Sequence, residues 1–185
     1  MARTPSNMVP LGTSAPGFTL YDTVSGDDLS LFDLRGDVAT VVFFICNHCP
    51  FVIHVNEELV RLANAYLPKN ISFIAISSND VNNYPDDAPH LMRVRAQELN
   101  YPFPYLYDET QEVAREYDAA CTPDIYVFDK NLKLTYRGQL DDSRPGNGLP
   151  VTGNDLRHAL DCELNGVENT HSQKPSIGCN IKWKP

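Results

Sequence analysis

An apolar run that stops at a cysteine pair is the strongest constraint on this chain. Val38 to Ile45 reads VATVVFFI, with Thr40 its one polar side chain. It is rich in β-branched and aromatic residues and too short for a helix, so it is expected to be a strand buried on both faces. Cys46-Asn47-His48-Cys49 follows at once. Beyond it Phe51, Val52, Val55, Leu59, Leu62, Ala63 and Tyr66 recur at helical spacing, with Asn56, Glu57, Glu58 and Arg61 on the other side. That pattern predicts an amphipathic helix ending near Pro68. The pair therefore stands at a strand-to-helix junction, with Cys46 at the helix N-terminus and Cys49 in its first turn.

Such a position suits thiol chemistry. The thiolate is the nucleophile in disulfide exchange, and unpaired N–H groups with the positive end of the helix dipole favour the anion. A protonated His48 adds positive charge nearby. On this reading Cys46 is the exposed attacking thiol and Cys49 the more buried resolving one. Two other readings stand beside it. One Cys-x-x-Cys is also half of a zinc site, but Cys121, Cys162 and Cys179 are scattered singly and supply no second pair. The two thiols could also be inert core residues.

The rest of the chain reads as alternating strands and helices. Residues 1–14 look like a flexible arm, and residues 15–165 carry one domain. Pro16, Phe18 and Leu20 open a short strand, followed after the SGDD turn by LSLFDL. Ile71 to Ser78 is a second buried strand. A polar loop, NDVNNYPDD, leads to a helix from about Asp87–Pro89 to Leu99, and a short helix is expected at 110–119. Asp124 to Asp129 forms a strand, turning at Lys130-Asn131 into a hairpin partner at Leu132 to Arg137. A last helix begins where Thr152 and Asp155 resemble a capping box. Residues 166–185 look like an irregular tail packing on the domain. The order is β-α-β-α-β-β-α with an N-terminal β extension. It implies an α/β fold with a mixed sheet, parallel in the centre and antiparallel at the edge.

Charge narrows the partners. The net charge is −9, which argues against nucleic acid or an anionic membrane. The N-terminal stretch lacks an apolar h-region, and no apolar run approaches the ~18 residues of a spanning helix. A cytoplasmic location is expected. The chain has 5 cysteines, an odd number, which fits a reducing compartment better than a disulfide-stapled secreted domain.

A second stretch, ACTPDIYVFD, puts Thr122-Pro123 just before a strand. From the residues alone the bond is expected to be trans, since cis is about 5–6% of X–Pro bonds. CNHC after a buried strand, together with this Thr-Pro, resembles the thioredoxin superfamily. APGFTLYDTVSGDDLSLFDLRGDVATVVFF resembles the start of its peroxiredoxin and TlpA-type branch, and the tail GCNIKWKP resembles a peroxiredoxin-like subgroup carrying CxxC. The resemblance implies a thioredoxin fold with a central mixed sheet flanked by helices. It implies Cys46 as nucleophile and Cys49 as resolving cysteine. It also implies Pro123 as a cis-proline facing them, with Thr122 lending backbone to an extended substrate segment. His48 falls where strongly oxidising members and disulfide isomerases also carry histidine, which favours the reduced thiolate and makes the disulfide a better oxidant.

The departures are specific. Thioredoxins carry a buried acid at the place of Thr40, so here the family's proton shuttle is missing or supplied differently. Cys49-Pro50 resembles the Cys-Pro end of the peroxiredoxin Pro-x-x-x-Thr-x-x-Cys motif, but Cys46 and Val42 stand where its threonine and proline belong. Cys121, next to Thr122, and Cys179, in the tail, are candidate redox relays. Cys162 is expected in the core, His54 as a packing residue, and Asp141, Asp142 and Arg144 as a solvated turn. The expected activity is thiol–disulfide exchange with a disulfide-containing protein or a small thiol, disulfide or peroxide. It would run without metal or organic cofactor, on an external thiol reductant. A thiol peroxidase and a redox-sensing module without turnover are the alternatives.

Overall fold

The computed structural model describes residues 3–185. Its elements in chain order are β1 (Thr4–Pro5), β2 (Thr19–Asp22), β3 (Asp28–Ser30), α1 (Leu31–Leu34), β4 (Ala39–Phe44), α2 (Pro50–Tyr66), β5 (Ile71–Ser77), α3 (Pro89–Glu98), β6 (Tyr105–Tyr107), α4 (Glu112–Glu116), β7 (Cys121–Thr122), β8 (Asp124–Asp129), β9 (Leu134–Gly138), α5 (Asn154–Asn165) and β10 (Ile177–Asn180). The main sheet has the order β3-β2-β6-β5-β4-β8-β9. β4, β5 and β6 run parallel, and β8 and β9 complete one side antiparallel.

β4 is buried along its whole length. Val41 and Phe43 face one core with Ile45 beyond them, and Val42 and Phe44 face a second. Strand alternation therefore demands apolar residues at every position, as an all-apolar run supplies. The first core is closed by α2, α3 and α5, the second by α1, α4 and Ile181 of the tail. α2 starts with Pro50 in its first turn, where the missing N–H costs nothing. The seven apolar positions read from the sequence are all buried.

Several segments differ from expectation. Asn56 and Glu58, placed on the outer face of α2, are buried. Tyr101 donates its hydroxyl to Asn56 Oδ1 at 3.0 Å, and Glu58 pairs with Arg61 and Arg157. The aromatic run at 101–107 contributes strand β6. The Thr152–Asp155 capping box does not form: Gly153, at φ 66°, is the N-cap, and the Thr152 and Gly153 N–H groups go to Asp141 Oδ2.

The largest differences lie at the ends. Residues 3–14 are not a loose arm, because Ser6 N–H bonds Ser176 O at 2.9 Å and Gly12 N–H bonds Leu134 O at 2.7 Å. The tail is not irregular either. β10 lies between β1 and β7 in a small antiparallel sheet, with Cys179 opposite Thr122 and Asn180 opposite Cys121. Local pattern cannot reveal a four-residue strand whose partners lie over fifty residues away.

Candidate functional site

β4 ends at Phe44, and the chain crosses from Ile45 through Cys46-Asn47-His48 to Cys49, the N-cap of α2. The helix thus begins three residues later than the sequence suggested. Cys49, rather than Cys46, holds the helix N-terminus, where unpaired N–H groups favour an anion. The expected exposure of Cys46 is also not found: Cys46 is 2% exposed and Cys49 0%.

Both sulfurs converge on one residue. The Thr122–Pro123 peptide is cis, as the resemblance implied. Cys46 Sγ lies 3.6 Å from Thr122 Oγ1, and Cys49 Sγ, as a thiol, donates to Thr122 O at 3.2 Å. Thr122, Pro123 and the pair therefore form one site. The backbone edge of Thr122 expected to take an extended substrate is, however, already paired with β10.

The two thiols sit in unlike electrostatic surroundings. Cys49 is lowered to about 4, chiefly because Cys46 donates its S–H to it. The Thr122 hydroxyl, the Cys179 thiol and the Cys179 backbone N–H add to this, outweighing burial. Cys46 is pushed up by giving that hydrogen bond, by burial and by the facing carboxylate of Asp87. The surroundings thus lower Cys49 and raise Cys46, so of the two sulfurs it is Cys49 whose anion they favour.

Asp87 is the residue the sequence reading missed. It had been placed only at a helix start, yet it is fully buried beside the cysteine loop. Its Oδ1 accepts the Asn47 N–H at 2.7 Å, and its Oδ2 accepts Asn79 Nδ2 at 2.8 Å. His48 Nδ1 lies 2.8 Å from the same Oδ2, and this bond is the main cause that raises the His48 pKa. His48 also stacks on Tyr84, with ring centroids 5.6 Å apart. Its side chain is 25% exposed and opens on a groove shared with Ile53, Leu91, Val94 and Arg95. The one sequence signal for Asp87 was an acid in a polar loop following a buried strand, which many loops share.

Cys46 Sγ, His48 and Asp87 offer sulfur, nitrogen and oxygen donors within 4.8 Å of one another, the arrangement a metal ion would need. The Asp87 oxygens already bracket the loop through Asn47, Asn79 and His48. Thr40, at the place of the usual buried acid, accepts the Gly36 N–H at 3.0 Å. A buried acid does reach the site, but from the segment after β5.

The remaining residues separate cleanly. Cys121 does not face the pair: alternation turns Thr122 toward the sulfurs, and Cys121 Sγ donates to Pro123 O at 3.6 Å. Burial pushes its thiol well up. Cys179 does reach the pair and shares its core with Cys46 and Cys49. Cys162 is buried on α5, 3.6 Å from His158 Nε2. His54 contacts Ser143, and Asp141 and Arg144 knit the 139–153 loop by hydrogen bonds to its backbone. They are structural, and Asp141 is buried.

On the other side of Thr122, a buried ion pair braces the segment. Arg137 on β9 holds both carboxylate oxygens of Asp124, the second through its other terminal nitrogen at 3.0 Å, and both side chains are fully buried. Asp124 Oδ2 also accepts the Ala120 N–H at 3.0 Å.

Comparison with known proteins fits this geometry. Residues 11–137 match the AhpC/TSA family. The chain belongs to that family. An uncharacterized conserved protein from Geobacillus kaustophilus is 62% identical, with a TM-score of 0.98 over 100% of this chain and 98% of that one. A putative thioredoxin from Neisseria meningitidis shares the fold at 23% identity, TM-score 0.63, over 82% and 89%. A peroxidoxin from Mycobacterium tuberculosis does so at 19% identity, TM-score 0.61, over 86% and 98%. A search of curated proteins finds no match. The AhpC/TSA chain here thus has the thioredoxin fold. Among the described residues, no helix is long and apolar enough to cross a membrane.

Proposed function

We propose that this AhpC/TSA-family chain is a thiol–disulfide oxidoreductase that cycles between the Cys46/Cys49 dithiol and disulfide. The observation that carries the reading is the convergence of both sulfurs on Thr122 at the cis-proline, with Cys49 at the N-cap of α2, where its surroundings favour the anion. The roles follow from the surroundings, and they reverse the order expected from sequence. The Cys49 thiolate attacks a disulfide, one sulfur leaves as a thiolate, and Cys46 then resolves the mixed disulfide. Asp87 is placed to take the Cys46 proton, directly or through His48. No resident metal or organic cofactor enters this cycle, and an external thiol supplies the electrons for its reverse. Five thiols of this kind suit a reducing compartment such as the cytoplasm.

Burial shapes the substrate. Both sulfurs are closed off and the Thr122 edge is taken, so a low-mass disulfide reaches them more readily than a folded protein does. The same N-cap thiolate at Cys49-Pro50 also favours a second reading, a thiol peroxidase. There Cys49 would become a sulfenic acid as a hydroperoxide is reduced to an alcohol, and Cys46 would condense with it, releasing water. Reduced protein offered equal oxidised glutathione and hydrogen peroxide, quenched and mapped, separates the two. Faster Cys46–Cys49 closure by the disulfide supports exchange. Faster closure by peroxide, with a sulfenic trap labelling Cys49, supports the peroxidase. A pair that closes with neither overturns both.

A further inference from the structure

The tail carries a third thiol into the site, and the fold holds it there with more contacts than a chain end needs. β10 pairs with β1 on one edge and β7 on the other. Beyond it Ile181 N–H bonds Ala120 O at 3.2 Å, and Ile181 itself is buried in the second core. The Lys182 N–H bonds Asn79 Oδ1 at 2.8 Å, on the same Asn79 whose amide holds Asp87. The tail and the cysteine loop therefore share one hydrogen-bonded bracket.

The approach of β10 is also unusually close. A Cβ at Gly178 would fall inside the Thr122 carbonyl oxygen and lie 2.6 Å from its carbon, and the obstacle is backbone, which cannot move aside. Glycine at this position lets the strand lie flat against the Thr122–Pro123 peptide. The next residue is Cys179, directly across from Thr122, whose carbonyl takes the Cys49 thiol. Cys49 thus has two thiols among its neighbours, Cys46 from its own loop and Cys179 from the tail.

We propose that β10 is a resident exchange strand, and that Cys179 takes over the disulfide formed between Cys46 and Cys49. This rests on the dithiol cycle proposed above. The Cys179 thiolate attacks Cys49 Sγ of the Cys46–Cys49 disulfide, the Cys49–Cys179 bond forms, and Cys46 leaves as a thiolate. No electrons are gained or lost; the disulfide moves from the loop to the tail. Oxidation of Cys49 removes one of the influences that keep the Cys179 thiol protonated. While the pair is reduced, burial and the Cys49 anion push Cys179 up to about 12. Once Cys49 is in a disulfide its anion is gone, and the Lys182 ammonium, which lowers Cys179, remains.

Oxidised glutathione on full-length Cys46→Ser protein is the test, followed by acid quench and mapping. The expected result is a Cys49–Cys179 cross-link, lost in Cys46→Ser/Gly178→Ala, where β10 is pushed off β7. A stable Cys49–glutathione adduct with Cys179 still free to alkylate overturns the proposal, as does an unreactive Cys49 in a variant whose circular dichroism is native. If Cys46→Ser does not fold, oxidised wild type decides: its digest must contain Cys179 joined to the 46–49 peptide, and a digest with Cys46–Cys49 alone overturns the inference. Wild type that closes no Cys46–Cys49 disulfide, by contrast, sinks the underlying dithiol cycle.

Discussion

Two buried carboxylates flank the site, and they do different work. Asp124 is locked to Arg137 with no solvent at either side chain. Asp87 is equally buried, but its partners are two neutral N–H donors and a half-buried histidine. A buried charge needs compensation wherever it sits. Asp124 is compensated by a permanent cation, so its surroundings do not change with pH or redox state. Asp87 is compensated by dipoles and by a group that titrates, so its field at Cys46 and His48 changes with both. One carboxylate holds the Ala120–Pro123 segment in place, and the other raises the Cys46 thiol.

The contrast makes ordered predictions. Arg137→Ala should have the largest effect on folding, about 3–5 kcal/mol, because it leaves the buried Asp124 carboxyl without its cation. Urea unfolding measures it, and a loss below about 1 kcal/mol would mean that Asp124 does not depend on its cation. In the folded fraction of that variant, the pH profile of Cys49 alkylation should not move.

Asp87→Asn should give the reverse pattern. Its cost in stability is smaller, about 1–3 kcal/mol, from buried donors left without an acceptor. The like charge facing Cys46 disappears with it, so the thiol that resolves the mixed disulfide should titrate lower. The pH dependence of disulfide closure in stopped-flow reads this directly. An unchanged profile would make Asp87 a purely structural bracket like Asp124.

The smallest effect is the pH term of His48. Its folded pKa is raised above the ordinary value of about 6.5, first by the bond to Asp87. A raised folded pKa means that the native state binds the proton more tightly. The stabilisation is therefore fully present below about pH 6.5 and is lost as pH rises through the folded value. Wild type should lose this increment on going to mildly alkaline pH, and His48→Gln and Asp87→Asn should not. A wild-type curve parallel to His48→Gln across that window would remove His48 from the tuning role.

Much of the fold was open to sequence reading because its signals are local. The all-apolar β4, the helical spacing of α2 and the Asp124–Asp129 strand each announce themselves within a few residues. β6 and β10 are too short for periodicity to speak, and their pairing partners lie far along the chain. The cysteine pair was equally legible, since spacing and junction are sequence properties. The role of each sulfur was not. A shift of three residues in the helix start moved the N-terminal field from Cys46 to Cys49, and helix starts follow backbone geometry that residue type only biases.

By itself, then, the sequence determined the layers of the sheet, the Cys46/Cys49 pair and its place at the end of β4, because burial pattern and spacing act over short stretches. Tertiary structure alone decided which sulfur sits at the N-cap of α2, that the buried acid beside the cysteine loop is Asp87 rather than residue 40, and that Cys179 lies across from Thr122. Those outcomes depend on distances between segments forty to well over a hundred residues apart, and on which side chain of an alternating strand faces the sulfurs. No property of the individual segments contains that information.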